Sequence, residues 1–454
     1  MNRRLLIVGG GITGLAAAWE AQRRVGDDYL LVESAPRLGG KIITRRLAAP
    51  DGSGEFIIDG GPESFVTRKP ELIQLAEETG LSEALIDPGT ETDGMHVLTD
   101  GVPLPVPMTP GSLVRTPLLS ATGKARLLAE PFIKAKTAAD DESLDAFARR
   151  RLGPQAAERM LGPVLGGIHQ ADPERQSLQA TAPALWGMER DHGSLFRALL
   201  VRAKTKKRQP PARYPAFLSF AHGAQALVDG VAAQLAGDIT TNTSVVGVQP
   251  GADGFAVHLS DGQTVSARAV ILACPVTQAA GLLDDHLAGY LRRIRTVSIG
   301  TATLVYPAGS LAHLDRIGGC MVPRREGRRI DAVMVTSRRM PDRSVPGYHL
   351  VRVVFGANDP GLVGADEAQL RQVIGAELAA GFGVGVDPVA SVSFHWPQGY
   401  PQADVGHLAR LDAWERRLPQ GLAVAGAAYR GAGVPDCIRQ GRAAATLVLT
   451  GASA

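Results

Sequence analysis

Arg4-Leu5-Leu6-Ile7-Val8, Gly9-Gly10-Gly11-Ile12-Thr13-Gly14, an apolar run from Leu15 to about Arg24, and Tyr29-Leu30-Leu31-Val32-Glu33 open this chain. A short apolar run bounded by glycines predicts a buried parallel strand. The glycines fit G-x-G-x-x-G as Gly9, Gly11 and Gly14. In that pattern the first glycine allows a tight turn, the second lets a pyrophosphate approach the backbone, and the third lets helix and strand pack closely. The helix that follows points free N–H groups and a partial positive charge at the phosphates. One such motif is weak in a chain with 53 glycines. Its context strengthens it: strand before, helix after, second strand, and an acid at that strand's end. Glu33 stands 19 positions after Gly14, where a carboxylate accepts from a ribose 2′-OH. It would repel a 2′-phosphate, which argues against NADP.

Outward from this unit, 454 residues allow roughly three domain-sized parts. A composition of 45% hydrophobic and 20% charged residues is globular. Net charge +3 and 5% aromatics give nucleic acid neither a basic footprint nor stacking surface. Cys274, Cys320 and Cys437 are far apart, without metal spacing, and read as reduced buried thiols in a cytoplasmic protein; no metal is expected. No run reaches the roughly 18 apolar residues of a membrane span. Arg3-Arg4 before an apolar run mimics a signal peptide, but cleavage would delete the phosphate loop.

Strands are expected around Ile42-Ile43-Thr44 and Phe56-Ile57-Ile58, then a turn at Asp59-Gly60-Gly61-Pro62-Glu63-Ser64-Phe65 whose backbone can lie against a flat ring. Glu71 to Gly80 predicts a helix, and Val97-Leu98 with Pro103 to Pro107 a small hairpin. From about Gly111 to Arg208 the pattern is mostly helical, including Gln155 to Leu165. Its runs Arg149-Arg150-Arg151 and Lys204 to Arg208 read as solvated faces, with contact to an anionic membrane surface as the lesser reading. Ala269 to Pro275 is a second buried strand, and strands dominate Val297 to Phe355. Leu422 to Gly426, the turn Tyr429 to Cys437 and the helix Ile438 to Leu449 end the chain as it began, with strand, glycine turn and helix. The reading is an α/β chain with a discontinuous Rossmann-like dinucleotide-binding domain, a mixed-sheet substrate domain and a helical insertion. The expected divisions are 1–90, 212–285 and 391–454 for the dinucleotide domain, 91–211 for the mainly helical insertion, and 286–390 for the β-rich substrate domain.

At Leu38-Gly39-Gly40-Lys41, at Asp59 to Phe65, at Pro163-Val164-Leu165-Gly166-Gly167-Ile168-His169, at Trp396 to Pro401 with Gly406-His407, and at Gly431 to Ile438, the chain resembles the protoporphyrinogen/coproporphyrinogen oxidases of the flavin amine oxidase superfamily. The resemblance covers nearly the whole chain and implies FAD in a two-dinucleotide-binding-type fold. It implies that Gly9, Gly10, Gly11, Ile12, Thr13, Gly14 and Leu15 hold the pyrophosphate, and Glu33 with Ser34 the adenosine ribose. Arg37, Gly39, Gly40 and Lys41 would approach the diphosphate and ribityl. Gly60, Gly61, Pro62, Glu63 and Ser64 would lie along the isoalloxazine, with the Val245 backbone on the adenine edge. Trp396, Ala432, Gly433 and Val434 would close the flavin end. The implied reaction is six-electron oxidation of a porphyrinogen in heme biosynthesis, with O₂ as acceptor and H₂O₂ released. No protein side chain is assigned as a general base, because the cofactor carries the redox chemistry.

A tetrapyrrole needs a wide apolar cleft with cations for its propionates. Arg68 and Lys69 are the candidate cations, with a solvated surface pair as the alternative. Met321 and Val354 are candidate walls, with core packing as the alternative. Eukaryotic members that use protoporphyrinogen place an arginine near the Met95 position; Gly94-Met95-His96 stands here, which favours coproporphyrinogen III over protoporphyrinogen IX. A peripheral membrane contact and a heme-pathway enzyme that receives the product are further partners of this reading. The rivals are another flavoenzyme, such as an amine oxidase or a desaturase, and a binder that has lost its cofactor; the complete glycine set and Glu33 argue against the binder.

Overall fold

The computed structural model describes residues 2–89, 94–136, 140–206, 213–311, 314 and 317–451. Two seven-stranded sheets organise it. In the first, Asn2–Val8 lies between Tyr29–Val32 and Thr264–Leu272, all parallel. Asp238–Thr240 extends one edge, and Leu422–Val424 pairs in parallel with Val270 to Leu272. Thr264–Leu272 alternates exposed and buried at its start, where it has hairpin partners, and is wholly buried at its end. Parallel strands covered on both faces read as continuous apolar runs, which is why these strands were legible.

The chain's two ends meet here. The helices Ile12–Val25 and Val434–Gly451 pack through small residues, Ala16, Ala17, Ala21, Ala444 and Ala445. A Cβ on Gly441 would stand 2.1 Å from the Thr13 carbonyl oxygen, so the two backbones nearly touch. The other face of the sheet is covered by Val276–Leu282, Asp285–Leu291 and Trp414.

The second sheet runs Ala390–Pro401, Thr296–Pro307, Tyr348–Phe355, Ile330–Val335, Gly319–Met321, Met95–Thr99 and Val102–Pro105. Glu367–Phe382 packs on one face through Leu370, Ile374 and Leu378. Three of its strands reach beyond positions 286–390. The hairpin Met95 to Pro105 precedes the helices yet joins this sheet, through the parallel pairing of Met321 with Val97. Ala390–Pro401 spans position 391 as one unbroken strand against Thr296–Pro307.

The helical insertion differs from expectation at two places. Ala157–Gly166 is a π-helix with Pro163 inside it, not a regular α-helix. Proline lacks the N–H that closes a helical turn, and a widened turn absorbs the defect. Arg149-Arg150-Arg151 is not a solvated run, because successive helical residues point in different directions. Arg151 is fully buried against Glu130, Arg150 bridges Glu142 and Glu189, and only Arg149 faces outward. Positions 207 and 208 of the second basic run lie outside the described residues. Cys274, Cys320 and Cys437 are free and buried.

Candidate functional site

The three motif glycines answer to different constraints. Gly9 has φ +108°, and a Cβ there would sit 2.9 Å from the Ala273 carbonyl oxygen. A Cβ on Gly14 would lie 1.9 Å from the Gly9 carbonyl oxygen, while one on Gly11 would meet nothing within 4 Å. So Gly9 and Gly14 are required by the fold, and Gly11 borders open space. No side chain caps the first helix, and its first turn holds no acid. Its N–H groups stay free for an anion. Ile12, Thr13 and Leu15 are buried, so only their backbones can face a ligand. These features fit a dinucleotide pyrophosphate.

Glu33 stands beside this loop. It accepts from Gly10 N at 2.6 Å, from Ala35 N at 2.8 Å and from the Ser34 hydroxyl at 3.2 Å. A carboxylate has about four lone-pair sites, so acceptor capacity remains. Thr243 N donates to the Glu33 carbonyl at 3.1 Å, which seats the loop leading to Val245 against it. Gly39 N donates to Gly10 O at 2.8 Å and brings the second glycine pair to the first. Arg37 lies across the loop that follows it. Its guanidinium donates to the carbonyls of Leu38 (3.0 Å), Gly40 (2.6 Å) and Ile42 (3.0 Å), so it holds the 38–42 loop in shape. Burial lowers the basicity of the Lys41 amine. A Cβ on Gly61 would be 1.9 Å from the Lys41 carbonyl oxygen, so the 39–41 and 60–64 segments lie against each other.

The 59–64 turn is buttressed by two buried arginines that sequence reading missed. Arg343 donates to Asp59 Oδ2 at 2.5 Å and to Ser219 Oγ and Phe220 O at 2.7 Å. Arg352 donates to Asp59 O at 2.8 Å, to Glu63 Oε2 at 3.1 Å and to Gly61 O. Above the turn, Thr301 Oγ1 at 2.8 Å and Trp396 Nε1 at 3.3 Å both donate to Gly60 O. Trp396 is thus brought to the 59–64 turn.

At the other end, Ala432, Gly433 and Val434 form the turn that opens the last helix. A Cβ on Gly431 would stand 2.8 Å from Asp436 Cγ, so the Asp436 carboxylate rests on this turn. Lys69 donates to Asp436 Oδ2 at 2.5 Å. The expected cation pair therefore splits: Lys69 is committed to an acid, and Arg68 is exposed. Tyr429, at the start of the 429–437 turn, is 2% exposed and packs on the far face of the first sheet.

Met321 and Val354 do come together. The strand registers set Thr301, Val354, Ala332, Met321 and Val97 in one row across the second sheet. Paired residues in a row share a face. Met95, Val106 and Val164 pack against this cluster. The row starts at Thr301 on the 59–64 turn and ends under the π-helical segment, where a Cβ on Gly167 would lie 2.8 Å from Met321 Sδ. The periodicity of each strand was visible in the sequence; the row needed the registers.

The family model described as flavin containing amine oxidoreductase matches residues 12–449. The coproporphyrinogen III oxidase of Bacillus subtilis is 30% identical, over 99% of this chain and 98% of that protein. The coproporphyrinogen III oxidase of Propionibacterium freudenreichii is 31% identical, over 99% and 91%. A solved structure from Exiguobacterium sp. 255-15, assigned as a protoporphyrinogen oxidase, superposes with a TM-score of 0.85 at 28% identity, over 99% of both chains.

Proposed function

Because the chain belongs to the flavin containing amine oxidoreductase family and, within it, to the porphyrinogen oxidases, we propose that it binds FAD and oxidises coproporphyrinogen III to coproporphyrin III. The observation that carries the reading is the continuity of the site: phosphate loop, 39–41 segment, 59–64 turn and apolar row follow one another without a break. The free N–H groups at Gly11 and the first helical turn hold the pyrophosphate. Glu33 and Ser34 take the adenosine ribose, and the Val245 backbone meets the adenine edge. Gly39, Gly40 and Lys41 border the diphosphate and ribityl, in a loop that Arg37 fixes. Gly60 to Ser64 lie along the isoalloxazine, and Trp396, Ala432, Gly433 and Val434 close its end. When bound, FAD supplies the hydride acceptor for each of three two-electron steps, with O₂ as final acceptor and H₂O₂ as product.

Met321 and Val354 form the apolar wall for the tetrapyrrole, and Arg68 and Lys69 border the approach of its propionates. Met95, where protoporphyrinogen-using relatives carry a cation, favours the coproporphyrinogen substrate. The helical insertion exposes Phe132 (86%), Met108 (83%), Val114 (66%) and Leu200 (64%), beside Lys124 and Arg197. Exposed apolar side chains with cations close by suit peripheral contact with an anionic membrane on the cytoplasmic side. Among the described residues, no helix is long and apolar enough to cross one. Product handover to a heme-pathway enzyme fits the same reading.

The test is purified flavin-loaded enzyme assayed on both porphyrinogens by porphyrin fluorescence. A higher kcat/KM for coproporphyrinogen III is expected; a higher value for protoporphyrinogen IX would overturn the substrate choice.

A further inference from the structure

Tyr400 and His169 meet at the flavin end of the site, from different parts of the chain. Tyr400 is the penultimate residue of the edge strand Ala390–Pro401, and His169 ends the short α-helical turn Gly167–His169 that follows the π-helix. Tyr400 Oη is 3.4 Å from His169 Nδ1, with the rings edge to face at 6.5 Å. Both are dressed by strained backbone. Gln170, just after His169, has φ +49°, and Gln398, two residues before Tyr400, has φ +50°. The strand register slips between Val297 and Ile299, so a bulge at 397–399 re-aims Tyr400 relative to Trp396. Strained residues, bulges and π-helical turns concentrate at functional sites.

Both side chains are half-buried, and burial pushes the Tyr400 phenol well up and the His169 imidazole down to about 4. The charged groups that face His169 are Lys69 and Asp436, which are already paired with each other. Asp436 also rests on the 431–433 turn, which ties the pair to the flavin end. The Thr181 backbone favours the charged ring. In the tautomer that carries its proton on Nε2, His169 Nδ1 is an acceptor facing the Tyr400 hydroxyl. Gln402 Nε2 donates to the His169 carbonyl at 3.3 Å and steadies the segment.

We infer that Tyr400 and His169 form a proton relay that takes up the pyrrole N–H proton at each two-electron step, with Tyr400 touching the tetrapyrrole and His169 acting through it. This rests on the porphyrinogen reading above. Each step removes a hydride from a methylene bridge and a proton from an adjacent pyrrole nitrogen; after the third, the one methylene left passes a proton to a ring nitrogen by tautomerisation, which gives four methine bridges and two N–H groups. The hydride leaves with both electrons to the flavin. The N–H bond breaks as an O–H bond forms on Tyr400 Oη, and the hydroxyl's own proton moves to His169 Nδ1. Imidazolium then returns it to solvent before the next step. In an apolar cleft no bulk water stands by to take that proton, so a built acceptor is required.

The experiment compares flavin-loaded wild type, Tyr400→Phe, His169→Gln and the double variant. The amide introduced by His169→Gln would still accept from the Tyr400 hydroxyl but is not basic, so it separates orientation from proton uptake. We expect each single variant to lose about 100-fold in kcat, with KM, flavin content and melting temperature nearly unchanged, and the double variant to lose no more than either single. ¹⁵N NMR of His169 should show an unprotonated, hydrogen-bonded Nδ1 that loses its bond in Tyr400→Phe. Single variants with kcat within twofold of wild type would overturn the relay. So would additive losses, or losses that track flavin content. A wild type that turns over no porphyrinogen would instead sink the substrate reading, and the NMR signature would still report on the pair.

Discussion

A methyl group at Gly11 would meet open space, whereas one at Gly14 would overlap the Gly9 carbonyl. The two positions therefore separate cofactor binding from folding. Gly11→Ala should keep the melting temperature of the flavin-free protein while the purified protein loses its flavin. Gly14→Ala should destabilise the chain outright, by about 1–3 kcal/mol or more from overpacking. Absorbance and thermal melts on both variants check this; a Gly11→Ala protein with full flavin content would remove Gly11 from the cradle. At this scale the motif was legible because each glycine obeys a local constraint. Arg343 and Arg352 were not, since their partners Asp59 and Glu63 lie 284 and 289 positions away. The one local signal was a charge inside the apolar strand Tyr348–Phe355, where arginine is rarely buried without a partner. For Lys69, a cation beside a turn, the sequence offers no partner, and the fold supplies Asp436.

At the scale of elements, the second sheet and the π-helix shape the cleft. Val354 lies in the middle of the apolar row, beside Thr301 and Ala332. Val354→Phe should intrude on the substrate and raise KM for the porphyrinogen by about tenfold, the scale of one badly fitted apolar contact, with flavin content unchanged. A parallel fall in flavin content would place Val354 in the core instead. The π-helical end carries a pH signature. Burial pushes His169 from its ordinary 6.5 to about 4, so the unfolded chain takes the proton first as pH falls. Stability is therefore whole above about pH 6.5 and is lost on the way down to about 4, by at most about 1.4 kcal/mol per pH unit. His169→Gln should flatten that acid loss in melts between pH 7 and pH 4; an unchanged slope would contradict the burial. Asp331, whose carboxyl is pushed up to about 6, works in the opposite sense, so the comparison is between variant and wild type in the same buffers. The strands and most helices could be read from periodicity. The π-helix could not, because Pro163 in an apolar run predicts only a kink.

For the whole molecule, the joining of the two chain ends is what creates the site. The sequence announced it twice, with strand, glycine turn and helix at each end, and the parallel pairing of Leu422–Val424 with the first sheet is its physical form. The extent of the second sheet was hidden, because the hairpin at 95–105 is recruited across the helical insertion by pairing that no local pattern encodes. Gly441→Val should drive the last helix off the first, since even a Cβ would stand 2.1 Å from the Thr13 carbonyl oxygen. Loss of both flavin and cooperative unfolding is expected in thermal melts followed by flavin fluorescence; a stable, flavin-loaded variant would mean the two ends need not pack closely. The most direct measurement is the absorbance spectrum of the purified protein, followed without oxygen as coproporphyrinogen III is added. An oxidised flavin band that bleaches when coproporphyrinogen III is added, with porphyrin accumulating once oxygen is readmitted, is the predicted result. A protein without that band, or one whose band persists while it meets the porphyrinogen, would contradict a flavin site built from both ends of the chain.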